Sequence, residues 1–243
     1  MEVSIYADTV ARLIYYLDYY GLYYAFGVNA FFALLVILSF PQIYKRFIEL
    51  NIEGFSQVLT SESLPAITLI VPVRNYEKGA VSSVRSYLHL TYPKKELIIV
   101  NDGSTDQTVE QLKNAFELYE VPQIFPMKIP SSPIKKLYRS RAHPELIVID
   151  KEHGGKADSQ NGALNICSSP LFLILDIDTI IEEDALLRMI RPFVTKRGVC
   201  GEGATIRVLN GCKVENGKIK EVHIPKSILP GIQVGEYLRA FLY

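Results

Sequence analysis

No charged residue occurs between Tyr19 and Gln42, and Tyr19–Phe40 reads YYGLYYAFGVNAFFALLVILSF, 22 mostly apolar residues in a row. A helix of that length spans roughly 33 Å, enough for a hydrocarbon core of about 30 Å. The run therefore predicts a transmembrane helix over residues 19–40, with an extracytoplasmic or interfacial N-terminus at 1–18. Pro41 marks the exit, and Lys45 and Arg46 follow it. Upstream, Glu2, Asp8 and Asp18 outnumber Arg12, so the positive-inside rule places everything after Pro41 in the cytoplasm. A cleaved signal peptide is disfavoured: the apolar run is too long, its flank is acidic and no small-x-small site follows. Six tyrosines between Tyr15 and Tyr24 sit where an interfacial aromatic belt would lie. The expected location is the cell (inner) membrane, with a single pass and a cytoplasmic domain.

The rest of the chain is of another kind. The 26 basic and 26 acidic residues cancel, which argues against a nucleic-acid binder. Three cysteines without paired spacing support neither a disulfide scaffold nor a zinc ribbon and read as packing thiols. Residues 41–64 mix charge, Ser and Gly and read as a juxtamembrane linker, helical at first. From Pro65 onward short apolar runs alternate with amphipathic stretches. The runs ITLIVPV (67–73), ELIIV (96–100), LIVID (146–150) and LFLIL (171–175) predict strands. Residues 80–90, 109–118, 156–166 and 183–193 predict helices between and after them. Near-continuous apolar strands imply an α/β fold, a mostly parallel sheet with helices on both faces. Residues 122–145, with five prolines and Lys135, Lys136, Arg139 and Arg141, interrupt the alternation and predict an inserted loop. It reads as a solvated excursion or as a basic rim for anionic lipid or a phosphorylated ligand.

Ligands of open α/β sheets bind beyond the carboxyl ends of the strands. Those positions hold Arg74-Asn75-Tyr76-Glu77, Asn101-Asp102-Gly103, Lys151 with Gly154-Gly155-Lys156-Ala157-Asp158, and Asp176-Ile177-Asp178. Asp176 and Asp178 are two apart, so on extended backbone both carboxylates face one side. Such a pair of hard oxygen ligands suits Mg²⁺ or Mn²⁺, with phosphate oxygens completing the shell. Asp102 before Gly103 can accept from a nucleobase N–H, whereas Asp106 reads as a cap of the next helix. Lys156 after two glycines at a helix start favours phosphate, or is an exposed lysine of an ordinary glycine loop. The four histidines, His153 among them, read as surface or packing residues. Gly201-Glu202-Gly203-Ala204-Thr205-Ile206 lacks the third glycine of a dinucleotide fingerprint, and there is no Walker A loop or nucleophile elbow.

These residues resemble the family 2 glycosyltransferases, membrane-bound and inverting. The resemblance rests on VPVRNYEKGAVSSVRSYLHLTYPKKELIIVNDGSTDQT, KEHGGKADSQNGALN, SPLFLILDIDTIIEEDALLRMIRPF and IQVGEYLRAFLY, four blocks in family order across residues 65–243. The chain is similar to bacterial poly-N-acetylglucosamine, cellulose and hyaluronan synthases. The resemblance implies a GT-A domain at 65–243 that binds a nucleotide sugar, usually a UDP-sugar, for transfer to a polysaccharide or lipid-linked acceptor. It further implies that Pro72, Val73, Arg74, Asn75 and Glu77 line a uridine pocket and that Asp102 meets the uracil. Lys156, Asp158 and Asn161 would lie along the diphosphate and donor sugar. Asp176 would face the ribose or a metal-bound water, and Asp178 would ligate the metal. Asn101 stands where the family often has an acid.

The blocks depart from the family at the end. Family members continue to an acidic Glu-Asp-type motif, whose Asp is the general base, and to a Gln-x-x-Arg-Trp motif. This chain has neither and contains no Trp. It reads as a donor-binding half, with the base beyond Tyr243 and weak or absent transfer by this chain alone. A rival reading is a non-catalytic, membrane-tethered binding subunit completed by a second chain carrying the acceptor half. A nucleotidyltransferase would need a Gly-rich phosphate loop after the first strand, which VPVRNYEKG does not supply. Adjacent aspartates do not fit the flanking carboxylates of a glycoside hydrolase.

Overall fold

The structure is a computed structural model that describes residues 2–50, 64–215 and 218–241. They fall into two units, one built on residues 1–54, 205–208 and 227–243 and the other on 55–204 and 209–226.

The first unit contains α1 (Glu2–Leu50), a helix of 49 residues. Its stretch Val10–Pro41 has a mean hydropathy of 1.9 and is long and apolar enough to cross a membrane. Leu17, Leu22, Phe26, Ile37 and Leu38 are all exposed, so the helix has no core of its own to bury them. Tyr15, Tyr19 and Tyr23 line one face at four-residue spacing, the first pair stacked and the second tilted, with ring centroids 6.2 and 4.6 Å apart. Pro41 does not end the helix as a proline often does; the backbone continues helical to Leu50. The remainder of the expected linker, residues 51–63, lies outside the described residues. The last helix of the chain (Ile228–Phe241) also belongs to this unit.

In the second unit the expected alternation is present: β1 (Ile67–Val73), α2 (Ala80–Leu88), β2 (Lys95–Asp102), α3 (Thr108–Phe116), β3 (Leu118–Val121), β4 (Ile134–Ser140), β5 (Leu146–Lys151), α4 (Lys156–Leu164), β6 (Leu171–Ile174) and α5 (Ala185–Thr195). A short hairpin, β7 (Lys213–Glu215) and β8 (Lys218–Glu221), follows. The six-stranded sheet runs in the order β3-β4-β5-β2-β1-β6. β5, β2, β1 and β6 are mutually parallel, whereas β4 is antiparallel to both β5 and β3.

Strand alternation sorts the core. Leu69, Val71, Leu97, Ile99, Leu146 and Val148 face α2, α3 and α5, whose Val84, Tyr87, Leu112, Phe116, Leu186 and Ile190 bury them. Ile70, Ile98, Val100, Ile147 and Ile149 face the other way, where Ala163 of α4 is joined by Leu137, Phe125 and Ile134. With both faces covered, the central strands are near-continuous apolar runs, interrupted in β1 by the buried Thr68 and ending in polar residues in β2 and β5.

The insertion corrects the sequence reading. Only part of 122–145 is loop: residues 134–140 form β4, second from the sheet edge, with Leu137, Tyr138 and Ser140 buried. The lysines and prolines mask a strand whose apolar residues divide between the two cores, Ile134 and Leu137 on the α4 side and Tyr138 on the other. The preceding helix stops at Phe116 rather than Leu118, because Glu117 takes a left-handed conformation (φ 50°) and Leu118 already starts β3. The last helix of the sheet unit starts two residues later than expected and continues past Pro192 to Thr195.

Candidate functional site

The chain lays β1, β2 and β5 progressively toward one side and then returns β6 to the far side of β1. That reversal opens a crevice at the carboxyl ends of the strands. In register, Val73 pairs with Asn101 and Asn101 with Asp150, while Asp102 pairs with Lys151. The predicted positions therefore end level with one another. Alternation then divides them: Asn101 and Asp150 lie on the α2–α3 face, Asp102 and Lys151 on the α4 face. Asn101 Nδ2 donates to Asp150 Oδ1 at 2.7 Å, and its buried Oδ1 has no partner.

Asp102 is 4% exposed and its carboxylate is fully engaged by the protein. Oδ1 accepts from Lys151 Nζ at 3.1 Å and from the Gly154 amide at 2.9 Å. Oδ2 accepts from the Gly155 amide at 2.9 Å and pairs with His153 Nδ1 at 2.7 Å. Burial alone would push this carboxyl up; the hydrogen bonds from Gly154, Lys151, His153 and Gly155 outweigh it and hold the group well below the usual carboxylate range. Gly103 (φ 63°) permits the close approach, since a Cβ there would meet the His153 amide nitrogen at 2.9 Å. The two glycine amides expected to face phosphate are thus turned onto Asp102.

His153, read from sequence as surface or packing, links two expected site residues. Its Nε2 lies 3.0 Å from Arg74 Nη1 while Nδ1 faces Asp102. A guanidinium only donates, so Nε2 accepts and the proton sits on Nδ1. Lys151 is wholly buried, and its three protons match three acceptors: Asp102 Oδ1, Asp158 Oδ2 and the Glu152 carbonyl. A lysine ending an apolar strand opposite an aspartate is the signal that singles it out.

The loops after β1 and β2 are laced together. The Asn75 amide donates to Ser104 Oγ at 2.9 Å, and the Thr105 amide donates back to Asn75 Oδ1 at 2.8 Å. The Glu77 amide donates to Asp106 Oδ2, and the Gln107 amide to Glu77 Oε2, both at 3.1 Å. Asp106 also accepts from the Thr108 amide, the capping contact expected of it. Asn75 itself is left-handed (φ 50°), a strain asparagine tolerates well. Pro72 and Val73 form the end of β1 beneath this lacing.

Asp176 and Asp178 follow β6 and behave differently. Along 171–178 burial alternates, with Leu171, Leu173, Leu175 and Ile177 against the core and Asp176 and Asp178 both exposed. The chain turns here, with the Thr179 amide donating to the Asp176 carbonyl at 3.0 Å. The extended backbone expected to set both carboxylates on one side thus ends before them, and what remains is that both are exposed. The turn carrying them is posted from below by the buried Tyr87, whose hydroxyl lies 2.9, 3.3 and 2.8 Å from the carbonyls of Asp176, Ile177 and Thr179. Burial, then the charge of Asp178, push the phenol up, so it stays a donor. Asp176 pairs with Lys156 in the first turn of α4, bringing two predicted groups together from separate elements. Asp178 has no hydrogen-bond or ion-pair partner among the described residues.

Among the described residues no cluster of three or more His, Cys, Asp or Glu side chains is arranged for a metal ion. Two hard carboxylates fit a divalent cation whose remaining ligands are phosphate and water oxygens. Asp158 and Asn161 are brought near the site but face elsewhere: Asp158 accepts from the Ser132 amide, and Asn161 Nδ2 donates to the Pro130 carbonyl at 3.2 Å.

The family model described as glycosyl transferase family 2 matches residues 68–211. Poly-beta-1,6-N-acetyl-D-glucosamine synthase of Staphylococcus aureus (strain COL) is 29% identical over 133 residues, 54% of this chain and 26% of its own length. The enzyme of the same name from Staphylococcus epidermidis is 28% identical over 154 residues, 62% of this chain and 31% of that protein. The chain spans about a quarter to a third of the length of these curated relatives. Among solved structures, the mannosyltransferase PcManGT of Pyrobaculum calidifontis with GDP-Man and Mn²⁺ is similar at 18% identity and a TM-score of 0.42, over 69% of this chain and 45% of that one. Staphylococcus aureus TarS 1–349 with UDP-GlcNAc is similar at 22% identity and a TM-score of 0.39, over 57% and 36%.

Proposed function

Since the chain belongs to glycosyl transferase family 2, we propose that it binds a nucleotide sugar, a UDP-hexose or UDP-N-acetylhexosamine, together with Mg²⁺ or Mn²⁺. The sugar is then transferred with inversion to a polysaccharide or lipid-linked acceptor at the cytoplasmic face of the inner membrane. A UDP-N-acetylhexosamine is favoured by the names of the curated relatives. Membrane attachment is supported by α1, with residues 19–40 as the span and 65–243 as the cytoplasmic domain.

The observation that carries the proposal is the pair Asp176 and Asp178. Both are exposed on the turn that follows β6, with Asp176 paired to Lys156. Asp176 and Asp178 would hold the cation, which supplies Lewis-acid stabilisation of the leaving diphosphate. Lys156, which pairs with Asp176, would place its ammonium on the same phosphates. Tyr87 keeps the turn from rotating away. Pro72, Val73, Arg74, Asn75 and Glu77 shape the nucleoside end, where lacing to residues 104–108 fixes the backbone in advance. Asp102 acts there by ordering Gly154 and Gly155, and Arg74 is oriented through His153. A preorganised charge of this kind is worth on the order of 10²–10³ in rate.

Calorimetric titration of UDP, UDP-GlcNAc and UDP-glucose with and without Mn²⁺ tests the proposal. Metal-dependent binding in the wild type that is lost in Asp178→Ala is expected. Binding that ignores both the metal and the substitution would overturn the cation assignment.

A further inference from the structure

Arg74, His153 and Asp102 form one chain of side chains across the mouth of the crevice. Asp102 closes β2, Arg74 follows the last residue of β1, and His153 lies two residues beyond β5. In the sheet order β5-β2-β1 the contact of His153 with Arg74 therefore passes over the end of β2. The ring is fixed from the β2 side. Nδ1 lies 2.7 Å from Asp102 Oδ2, a carboxylate that is itself buried and held by Lys151 and the Gly154 and Gly155 amides. Gly103 backs the histidine so closely that a Cβ there would lie 3.0 Å from the His153 Cβ.

Nε2 is left as the free end of this assembly, and Arg74 Nη1 is what it meets. Among the described residues this is the only hydrogen bond of the Arg74 side chain, and no carboxylate pairs with it. The choice of partner matters. A carboxylate would orient the guanidinium and cancel its charge, whereas a neutral imidazole orients it and leaves the charge whole. Arg74 is exposed at the carboxyl edge of the sheet, so it meets an incoming ligand already aimed and still cationic. An arginine that starts loose has to be ordered by the ligand, which costs several-fold in affinity for one long side chain.

We propose that His153 is a positioning residue of the nucleotide site, holding Arg74 toward the bound nucleotide only while its ring is neutral. This rests on the nucleotide-sugar reading above and adds a proton switch to it. One proton from solvent adds to the Nε2 lone pair. The Nδ1–H bond to Asp102 survives, but two donors, both cationic, then face each other where Arg74 was held. The other charged groups around the ring are already engaged. Asp102 and Lys151 bind each other at the ends of β2 and β5, and Asp158 of α4 pairs with Lys151. Lys156 at the start of α4 pairs with Asp176 beyond β6, and Glu152, next to the histidine in the chain, is exposed.

The test uses the full chain and UDP-GlcNAc with Mn²⁺. The phosphates of this ligand do not titrate between about pH 5.5 and about pH 7.5, a range in which imidazoles change charge. Binding is measured calorimetrically at both ends for the wild type, His153→Gln, His153→Ala and Arg74→Ala. The wild type is expected to bind about fivefold more weakly at the acid end. An added positive charge by itself favours a diphosphate, so weakening is the sign of a lost orientation. A glutamine carbonyl accepts from Arg74 and takes up no proton. His153→Gln should therefore bind more tightly than His153→Ala and show no slope with pH. Arg74→Ala should remove the slope while His153 is still present. Equal affinities for His153→Gln and His153→Ala overturn the positioning role. A slope that persists in His153→Gln or Arg74→Ala, tighter binding at the acid end, or no slope in the wild type overturns the switch and leaves the nucleotide-sugar reading standing. A wild-type chain that binds no UDP compound overturns both.

Discussion

Asp102 and Asp178 each follow an apolar parallel strand, yet one carries four donors on a buried carboxylate and the other has no hydrogen-bond or ion-pair partner among the described residues. The contrast separates two ways in which an acid serves a site. On β2, the strand end is enclosed by β5 and by the loop leading into α4, so its aspartate holds backbone in place. On β6, the strand lies at the sheet edge, and its aspartates remain open to whatever arrives. Strand position, rather than residue type, makes the difference.

The strongest way to break this contrast is Asp102→Ala. It takes from Lys151 one of its three acceptors and leaves the Gly154 and Gly155 amides without one, and a loss of about 3 kcal/mol in urea unfolding is expected. The same group sets an acid limit. Its folded pKa lies below the ordinary value of 3.8, so its contribution is complete above about pH 4 and disappears as pH falls through the folded value. In Asp102→Asn that part of the acid dependence should vanish, which stability curves between pH 2 and 5 will check. Tyr87→Phe comes next. Losing one hydroxyl beneath the Asp176–Thr179 turn should cost about 1 kcal/mol and weaken metal-dependent nucleotide binding more than metal-free binding. Asp178→Ala should be the smallest in stability, within about 0.5 kcal/mol of wild type, while removing the Mn²⁺ dependence of UDP binding. If Asp178→Ala destabilised as much as Asp102→Ala, the contrast between post and open ligand would be lost.

The parallel core was legible because it is local. Apolar runs bounded by glycine and polar residues gave β1, β2, β5 and β6 within one or two residues of their ends. The strand-end acids and Lys156 were found by the same rule, since a residue following a buried strand has to emerge at the carboxyl edge. β4 was missed because its apolar residues, Ile134, Leu137 and Tyr138, are few and keep no two-residue period within a basic, proline-rich stretch. The strand exists because both β3 and β5 satisfy its backbone, which no window of sequence contains. His153 was missed for a related reason: nothing near it in the chain indicates Arg74, 79 residues away.

The sequence by itself determined the apolar helix, the alternation of strands and helices, and which residues stand at the strand ends, because each depends on periodicity and neighbouring residues. Only the tertiary structure decided what those residues do. It joined Lys151 to Asp102 and Asp158, turned two glycine amides onto a carboxylate, and tied Ser132 to Asp158 of α4. Hydrogen bonds and ion pairs form between groups that the fold brings within about 3 Å of each other, and separation along the chain does not encode that proximity.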